Sequence, residues 1–378
     1  MEHIYEILLN SFFKDKFPTK QQIKNLILKT SQIFTFEKFP KKDYMKEEEY
    51  LKGYLIYFVP VNLEKLYRIF KELALHPLVF NKKDIKVIDI GCGPSPAIIP
   101  LLEVVKEGKT PIQYVRYIGV DQQIKVLEIS KKLMESIRHE ITVNYDFLVY
   151  DFSKKETYFE LKEIKPEILV FSNSLGEAFD TGKISLDDFI KYIKYFTYKN
   201  DDFCLIIIEP ATKKSSTRLH KVRDILIQEL TLYPYAPCIN SLPCSALKAK
   251  NWCYEERRWS PPKYLSFLKP IGLQLNYLKF SYVVLRKDKL NIKDTFKESN
   301  NIIKSISHLI NEKGKSRLWG CYNGELWNIE KLKRDYSKKE EWLKIKKGGY
   351  FSVDKMIELS DKKLRIPKNA IIEVLYTP

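Results

Sequence analysis

Apolar side chains change their rhythm along this 378-residue chain, and each rhythm predicts a different kind of element. Up to about residue 80 they recur on one helical face: Ile4, Ile7 and Leu8, then Ile23, Leu26 and Ile27, then Leu63, Leu66, Ile69 and Phe70. This predicts an N-terminal helical region over 1–80, with the charged, Pro-broken segment 39–49 as an exposed connection. From Ile85 onward, continuous apolar runs at 87–90, 117–120, 168–171 and 203–208 read as buried parallel strands. Helical stretches at 124–137 and 186–196 separate them, and alternating strand and helix means a doubly wound α/β sheet. Two more apolar runs, 273–277 and 280–285, predict antiparallel strands at its edge. The sheet domain spans 81–287. Within it, 234–262 shows neither period, carries Pro234, Pro237, Pro243, Pro261 and Pro262, and reads as an inserted loop. Beyond residue 288, short strand-like pieces at 316–322, 325–329, 350–353 and 370–376 alternate with Lys-rich turns, predicting a small β-rich C-terminal unit over 288–378.

Composition narrows the classes. A 44% hydrophobic, 13% aromatic chain has the side chains for a packed core, which argues against wholesale disorder. No apolar run approaches the roughly 20 residues of a membrane span. Glu2, Glu6 and Asp15 fit neither a secretory nor a mitochondrial leader, so a cytoplasmic monomer is the expectation. The 65 basic against 48 acidic residues leave a net charge of +17. Only 11 of the basic residues are Arg, so the excess is compatible with a solvated Lys-rich surface as well as with a polyanionic partner such as nucleic acid.

Chemistry concentrates in two places. The first is Val87-Ile-Asp-Ile-Gly-Cys-Gly-Pro-Ser-Pro96, a buried strand running into a Gly-x-Gly turn, where backbone can approach a ligand at the carboxyl end of a sheet. A second strand, Tyr117-Ile-Gly-Val-Asp121, ends in an acid suited to a ribose diol. Pro96 stands where a dinucleotide fingerprint has glycine and no Walker lysine follows, which disfavours a nicotinamide site and a P-loop. At the end of the fourth strand, Phe171-Ser-Asn-Ser-Leu-Gly-Glu177 lacks the paired prolines of base N-methylating enzymes. Asn173 and Glu177 are candidate catalytic groups, although Asn173 and Ser174 equally suit a helix cap. Pro237-Cys238 and Pro243-Cys244 lie after the fifth strand, out of place for a nucleophilic thiolate.

The second place is Cys238-x5-Cys244-x8-Cys253, three of the six cysteines within one Pro-rich loop. Loop residues can turn their side chains inward on a metal. No His lies in the loop, and Cys321, in a Gly-flanked stretch, is the best fourth donor. Four thiolates suit tetrahedral zinc or an iron-sulfur cluster. The absence of Cys-x2-Cys knuckles and the flanking Trp252, Tyr254 and Trp259 favour a [4Fe-4S] cluster. Cys204 reads as a buried apolar residue.

The acid in the first strand, the Gly-x-Gly turn and the acid closing the second strand resemble motifs I and II of class I S-adenosylmethionine-dependent methyltransferases. That resemblance implies a Rossmann-like fold in which Gly91 to Gly93 border the methionine part of the cofactor, Asp121 the ribose and Asp151 the adenine end, with Asp89 and Ser172 also at the cofactor. Four stretches make the likeness narrower: Glu49-Tyr-Leu-Lys-Gly-Tyr-Leu-Ile-Tyr-Phe-Val-Pro60, Asp89 to Pro94, Glu209-Pro-Ala-Thr-Lys-Lys-Ser-Ser-Thr-Arg-Leu-His-Lys-Val-Arg-Asp224, and the run from Ala236-Pro-Cys238 through Trp252-Cys253 to Arg286. Together they resemble the mitochondrial small-ribosomal-subunit methyltransferase-like assembly factors and their bacterial and archaeal relatives. The resemblance implies a [4Fe-4S] cluster on Cys238, Cys244, Cys253 and Cys321, and association with small-subunit ribosomal RNA or a pre-ribosomal particle. Lys213, Lys214, Arg218, Lys221, Arg223, Lys248, Lys250, Arg257 and Arg258 would then contact phosphates, with Trp252, Tyr254 or Trp259 stacking on bases. Two alternatives remain: a non-catalytic assembly factor that retains the cofactor pocket, and a zinc-containing small-molecule methyltransferase.

Overall fold

A computed structural model describes residues 1–13, 17–35, 47–108, 110–271, 276–296 and 299–378. The chain divides into two compact units, Met1–Ile184 with Trp259–Asn276, and Ser185–Arg258 with Tyr277–Pro378. Among the described residues no helix is long and apolar enough to cross a membrane.

The first unit opens with helices Glu2–Phe12, Lys20–Thr35, Glu48–Gly53 and Val59–Leu73, the last two joined by a π-helical turn, Tyr54–Phe58. Pro60 sits in the first turn of the fourth helix. Of the segment 39–49, residues 39–46 lie outside the described residues, while Glu48 and Glu49 begin a helix. Four parallel strands follow: β1 (Asp84–Ile90), β2 (Tyr114–Asp121), β3 (Thr142–Val149) and β4 (Ile168–Ser172). Their spatial order, β3-β2-β1-β4, is that of a doubly wound sheet, and the chain changes direction across the sheet at β1. The residues from Val87 to Ile90 are buried, as the continuous apolar run requires. β3 escaped the hydrophobic pattern because it is an edge strand, with exposed Thr142, Asn144 and Asp146 alternating with half-buried Val143, Tyr145 and Phe147.

In the second unit, β8 (Tyr277–Arg286) is an interior strand, antiparallel to β5 (Cys204–Pro210) on one side and to β6 (Tyr233–Ala236) and β7 (Glu255–Arg258) on the other. This corrects the expected edge pair: 280–285 lies within β8, and 273–275 lies outside the described residues. It also corrects the reading of 234–262 as irregular. β6 and β7 join opposite ends of the same edge of β8, so the chain between them leaves that edge just before Cys238 and returns just after Cys253. Helix Lys213–Leu230 is capped by Thr212, whose hydroxyl oxygen accepts from the Ser215 N–H at 3.1 Å.

The C-terminal half of this unit is a second sheet, built from β9 (Ile302–Ser305), β10 (Ile310–Glu312), β11 (Lys315–Tyr322), β12 (Glu325–Leu332), β13 (Tyr350–Val353), β14 (Ile357–Ser360), β15 (Lys363–Ile366) and β16 (Ile372–Tyr376). Its order is β14-β15-β12-β11-β9-β13-β16, with β10 on β11. The alternating inward side chains Ile303, Leu318, Ile329, Phe351, Val353, Leu364 and Ile366 form its core around Trp342, whose indole N–H donates to Ser316 Oγ at 2.6 Å. The β-rich C-terminal sheet is therefore present, with four strands beyond those the sequence pattern marked.

Candidate functional site

At the carboxyl ends of β1, β2, β3 and β4 a cleft encloses about 920 Å³ of free space, counting its open mouth. Open α/β sheets bind their ligands at this switch point. The glycine loop forms one wall. Gly91 and Gly93 both have positive φ, +69° and +53°. The Gly91 N–H donates to the Val120 carbonyl at 2.8 Å, hooking the loop onto β2, and a Cβ there would lie 2.4 Å from Ser174 Cβ. At Gly93 a Cβ would meet nothing within 4 Å, because the residue faces the cleft. Asp121 anchors the loop: its carboxylate accepts from the Gly93 N–H at 3.1 Å and the Gln123 N–H at 2.9 Å.

Asp89 lies beneath this loop and is not among the residues lining the cleft; it is 1% exposed. One carboxyl oxygen accepts from the Ala97 N–H at 2.8 Å and the Tyr117 hydroxyl at 2.9 Å. The other finds no partner among the described residues. Burial pushes its carboxyl up to about 7, despite those two bonds and helped by the nearby Asp121 charge. Asp89 thus braces the loop from below.

Gly91, Gly93, Asp121, Asp151, Ser172, Asn173 and Glu177 all line the cleft. Hydrogen bonds from Ser153 and the charges of Lys183 and Lys154 overcome burial to hold the Asp151 carboxyl below its ordinary range. Asn173 is held at φ +58°, and its amide donates to Asn62 Oδ1 at 3.2 Å. Asn62 in turn donates to the Tyr54 hydroxyl at 3.1 Å. Tyr54, Phe152, Gln122 and Lys183 also line the cleft, and sequence reading missed them. Tyr54 comes from the π-helical turn far upstream, a distortion that frequently marks functional sites. Burial, with the Asp121 and Glu177 charges, raises its phenol.

In the second unit Cys238, Cys244, Cys253 and Cys321 line one cavity together with His220, Arg223 and Lys304. Cys238 follows β6, Cys253 precedes β7, and Cys321 comes from β11. Ser245 Oγ lies 3.1 Å from Cys321 Sγ. The loop is tied down: Asp224 accepts from the Cys244 N–H at 3.0 Å, and Asn291 donates to the Cys238 carbonyl at 3.2 Å. The Cys253 carbonyl accepts from Ser281 at 2.9 Å and from His220 Nε2 at 3.2 Å. Burial, with neighbouring sulfurs adding to it, pushes Cys244 up to about 12 and Cys321 to about 11. Among the described residues no group of three or more His, Cys, Asp or Glu side chains is arranged to hold a metal ion. His220 is buried; burial pushes its imidazole down to about 4, so its Nε2 carries the proton it donates and Nδ1 has no partner among the described residues. Cys92 lines the cleft of the parallel sheet, and Cys204 is buried in β5.

The basic residues divide. Lys213, Lys214, Lys221, Lys248, Lys250 and Arg258 are exposed. Arg223 and Arg257 are 1% and 0% exposed, so they do not present a phosphate-binding face. Arg257 donates to the Tyr282 hydroxyl at 2.9 Å, and Arg218 lies 3.4 Å from Glu209. Trp252 is half-buried beside Lys213, Trp259 is buried in the first unit, and neither they nor Tyr254 are among the residues lining the thiol cavity.

Comparison with known proteins adds the following. No curated protein sequence matches the chain. Among solved structures it is similar to a SAM-dependent methyltransferase from Methanosarcina mazei, with 11% identity and a TM-score of 0.34 over 56% of this chain and 95% of that one. It is also similar to NSun6 from Pyrococcus horikoshii, with 14% identity and a TM-score of 0.33 over 67% and 59%. TrmK from M. capricolum, in complex with S-adenosyl-homocysteine, gives 12% identity and 0.30 over 61% and 69%. Likenesses this distant carry no argument about activity. The family model described as mitochondrial small ribosomal subunit Rsm22 matches residues 48–313, well over half of the chain, and takes in both the cleft of the parallel sheet and three of the four clustered cysteines. By that match, the chain belongs to the Rsm22 family.

Proposed function

We propose that the protein binds S-adenosylmethionine in the cleft of its parallel sheet and transfers the cofactor's methyl group to small-subunit ribosomal RNA, alone or within a pre-ribosomal particle. The observation that carries this reading is the convergence, at the carboxyl ends of four parallel strands, of a glycine loop without side chains and the carboxylate of Asp121. The residues fit the cofactor. Gly93 leaves open space beside a backbone that only positive φ permits, Asp121 offers carboxylate oxygens at the end of β2 to a ribose diol, and Asp151 and Phe152 lie at the end of β3 for the adenine. When bound, the cofactor supplies an electrophilic methyl on a sulfonium centre. The chain's own part is alignment: the Asn62–Asn173 bond fixes one wall, and Glu177 provides a carboxyl group on the same side of the cleft.

The four thiols are proposed to hold a [4Fe-4S] cluster. The support is that residues more than 60 positions apart bring four sulfurs to one cavity whose other lining includes the cations Arg223 and Lys304. Bound there, a cluster would tie the loop between β6 and β7 to β11. It acts as a brace, and methyl transfer needs no electron from it.

Transfer of labelled methyl groups to purified small-subunit RNA tests the reading. Incorporation that is lost in Asp121→Ala supports it; tight RNA binding without incorporation identifies a non-catalytic assembly factor. Anaerobically purified protein should be brown and hold about four irons, lost in Cys244→Ser. A colourless protein containing zinc would overturn the cluster.

A further inference from the structure

Resting on the reading of the four thiols as cluster ligands, we propose that Arg223 and Lys304 are the counter-charges of that cluster and set its one-electron reduction potential. Four thiolates brought to one cavity need compensating positive charge. Two cations line the same cavity, and both are removed from water: Arg223 is 1% exposed and Lys304 is 3% exposed. A buried charge acts through a low dielectric, so these two outweigh any of the exposed lysines on the same unit.

Their placement is specific. Lys304 is the direct cross-strand neighbour of Cys321 in the β9–β11 pair, so the two side chains share a face of the sheet. It forms an ion pair at 3.1 Å with Glu255, itself 3% exposed. Arg223 comes from the helix Lys213–Leu230. Its guanidinium donates to the carbonyls of Asn240 at 2.6 Å and Leu242 at 2.8 Å, both in the loop between the first two cysteines. The adjacent Asp224 accepts from the Cys244 N–H at 3.0 Å. Arg223 Nε has no partner among the described residues, a buried donor that the folded chain alone leaves unused. A structural clamp would need the guanidinium fork and not its charge; a counter-charge needs the charge.

The cluster's potential separates the two roles. In the test, dithionite supplies one electron to [4Fe-4S]2+, giving [4Fe-4S]1+, and the fraction reduced is followed by electron paramagnetic resonance in a mediated titration of the full-length protein. Arg223→Gln and Lys304→Gln each remove a positive charge and should make reduction harder. At a fixed poise the reduced-to-oxidised ratio should fall about tenfold, or ~59 mV for a one-electron couple. Arg223→Lys should stay near the wild type. Lys304→Gln combined with Glu255→Gln, which restores the local charge sum, should return most of the shift. Exposed Lys221→Gln, on the same helix as Arg223, should change nothing. If Arg223→Gln fails to fold or load, the Lys304 pair of variants decides alone. Unchanged potentials in iron-loaded variants overturn the inference and leave the cluster standing. Wild-type protein that binds no iron removes the cluster reading, and the counter-charge role with it.

Discussion

Gly91→Ala is the substitution to which the cofactor loop should be most sensitive, and its cost has two separable parts. The first is conformational: a φ of +69° in an L-residue costs roughly 1–2 kcal/mol. The second is steric, because the new Cβ would lie 2.4 Å from Ser174 Cβ and 2.9 Å from its Oγ. Ser174 is fixed by its own bond to the Ile90 carbonyl at 2.8 Å, so relief requires the loop and the start of the next helix to part, at roughly 1–3 kcal/mol. Gly91→Ala should therefore lose about 2–5 kcal/mol in guanidinium unfolding, and S-adenosylmethionine affinity in calorimetry should fall with it. Gly93→Ala, with positive φ but open space around it, should lose only the conformational part of about 1–2 kcal/mol. Adding Ser174→Gly to Gly91→Ala removes the colliding atom and should recover the steric part alone. A Gly91→Ala protein within 0.5 kcal/mol of the wild type, or a Ser174→Gly partner that rescues nothing, would refute this reasoning.

Three further outcomes are expected. The Asp89 carboxyl sits at about 7 in the folded chain against an ordinary 3.8, so the folded state holds a proton that the unfolded state has released. That stability is fully present below about pH 4 and is lost as pH rises through 7, roughly 4 kcal/mol at 1.36 kcal/mol per pH unit; urea titrations should show wild type losing ground to Asp89→Asn over that window, and parallel curves would contradict it. Trp342→Ala empties the centre of the C-terminal sheet's core and should cost about 3–5 kcal/mol in chemical denaturation, a loss below 1 kcal/mol counting against the packing described. Replacing exposed Lys213, Lys214 and Lys221 with Gln should flatten the log–log salt dependence of binding to single-stranded small-subunit RNA by about 2, from roughly 0.7 per phosphate contact, and an unchanged slope would remove this helix from the interface.

What could be read in advance depended on how plainly burial was written in local sequence. β1 and β2 are buried on both faces and their apolar runs marked them. β3 lies at an edge and β6 spans only four residues with Pro234 among them, so neither presented such a run. β7 inverted the usual polarity: in Glu-Glu-Arg-Arg258 the inward residues are the charged Glu255 and Arg257, satisfied by Lys304 and by Tyr282 with Phe280. The same inversion misassigned Arg223 and Arg257, since a sequence shows charge but not the carbonyls or rings that make its burial tolerable. The glycine loop was legible because its chemistry is local. Tyr54, Asn62 and His220 were not, because only the fold brings them from distant helices to the two sites. For the four cysteines, spacing singled out three, and Cys321 joined them from 68 positions beyond Cys253 through β11.

Calorimetric titration of S-adenosylmethionine into the wild type and Asp121→Ala measures directly whether the sheet's cleft is a cofactor site. One molecule should bind per chain, and loss of a charged hydrogen-bond acceptor worth roughly 1.5–3 kcal/mol should weaken it about 10- to 150-fold in the variant. No binding to the wild type, or equal affinity in the two proteins, would contradict the proposed function.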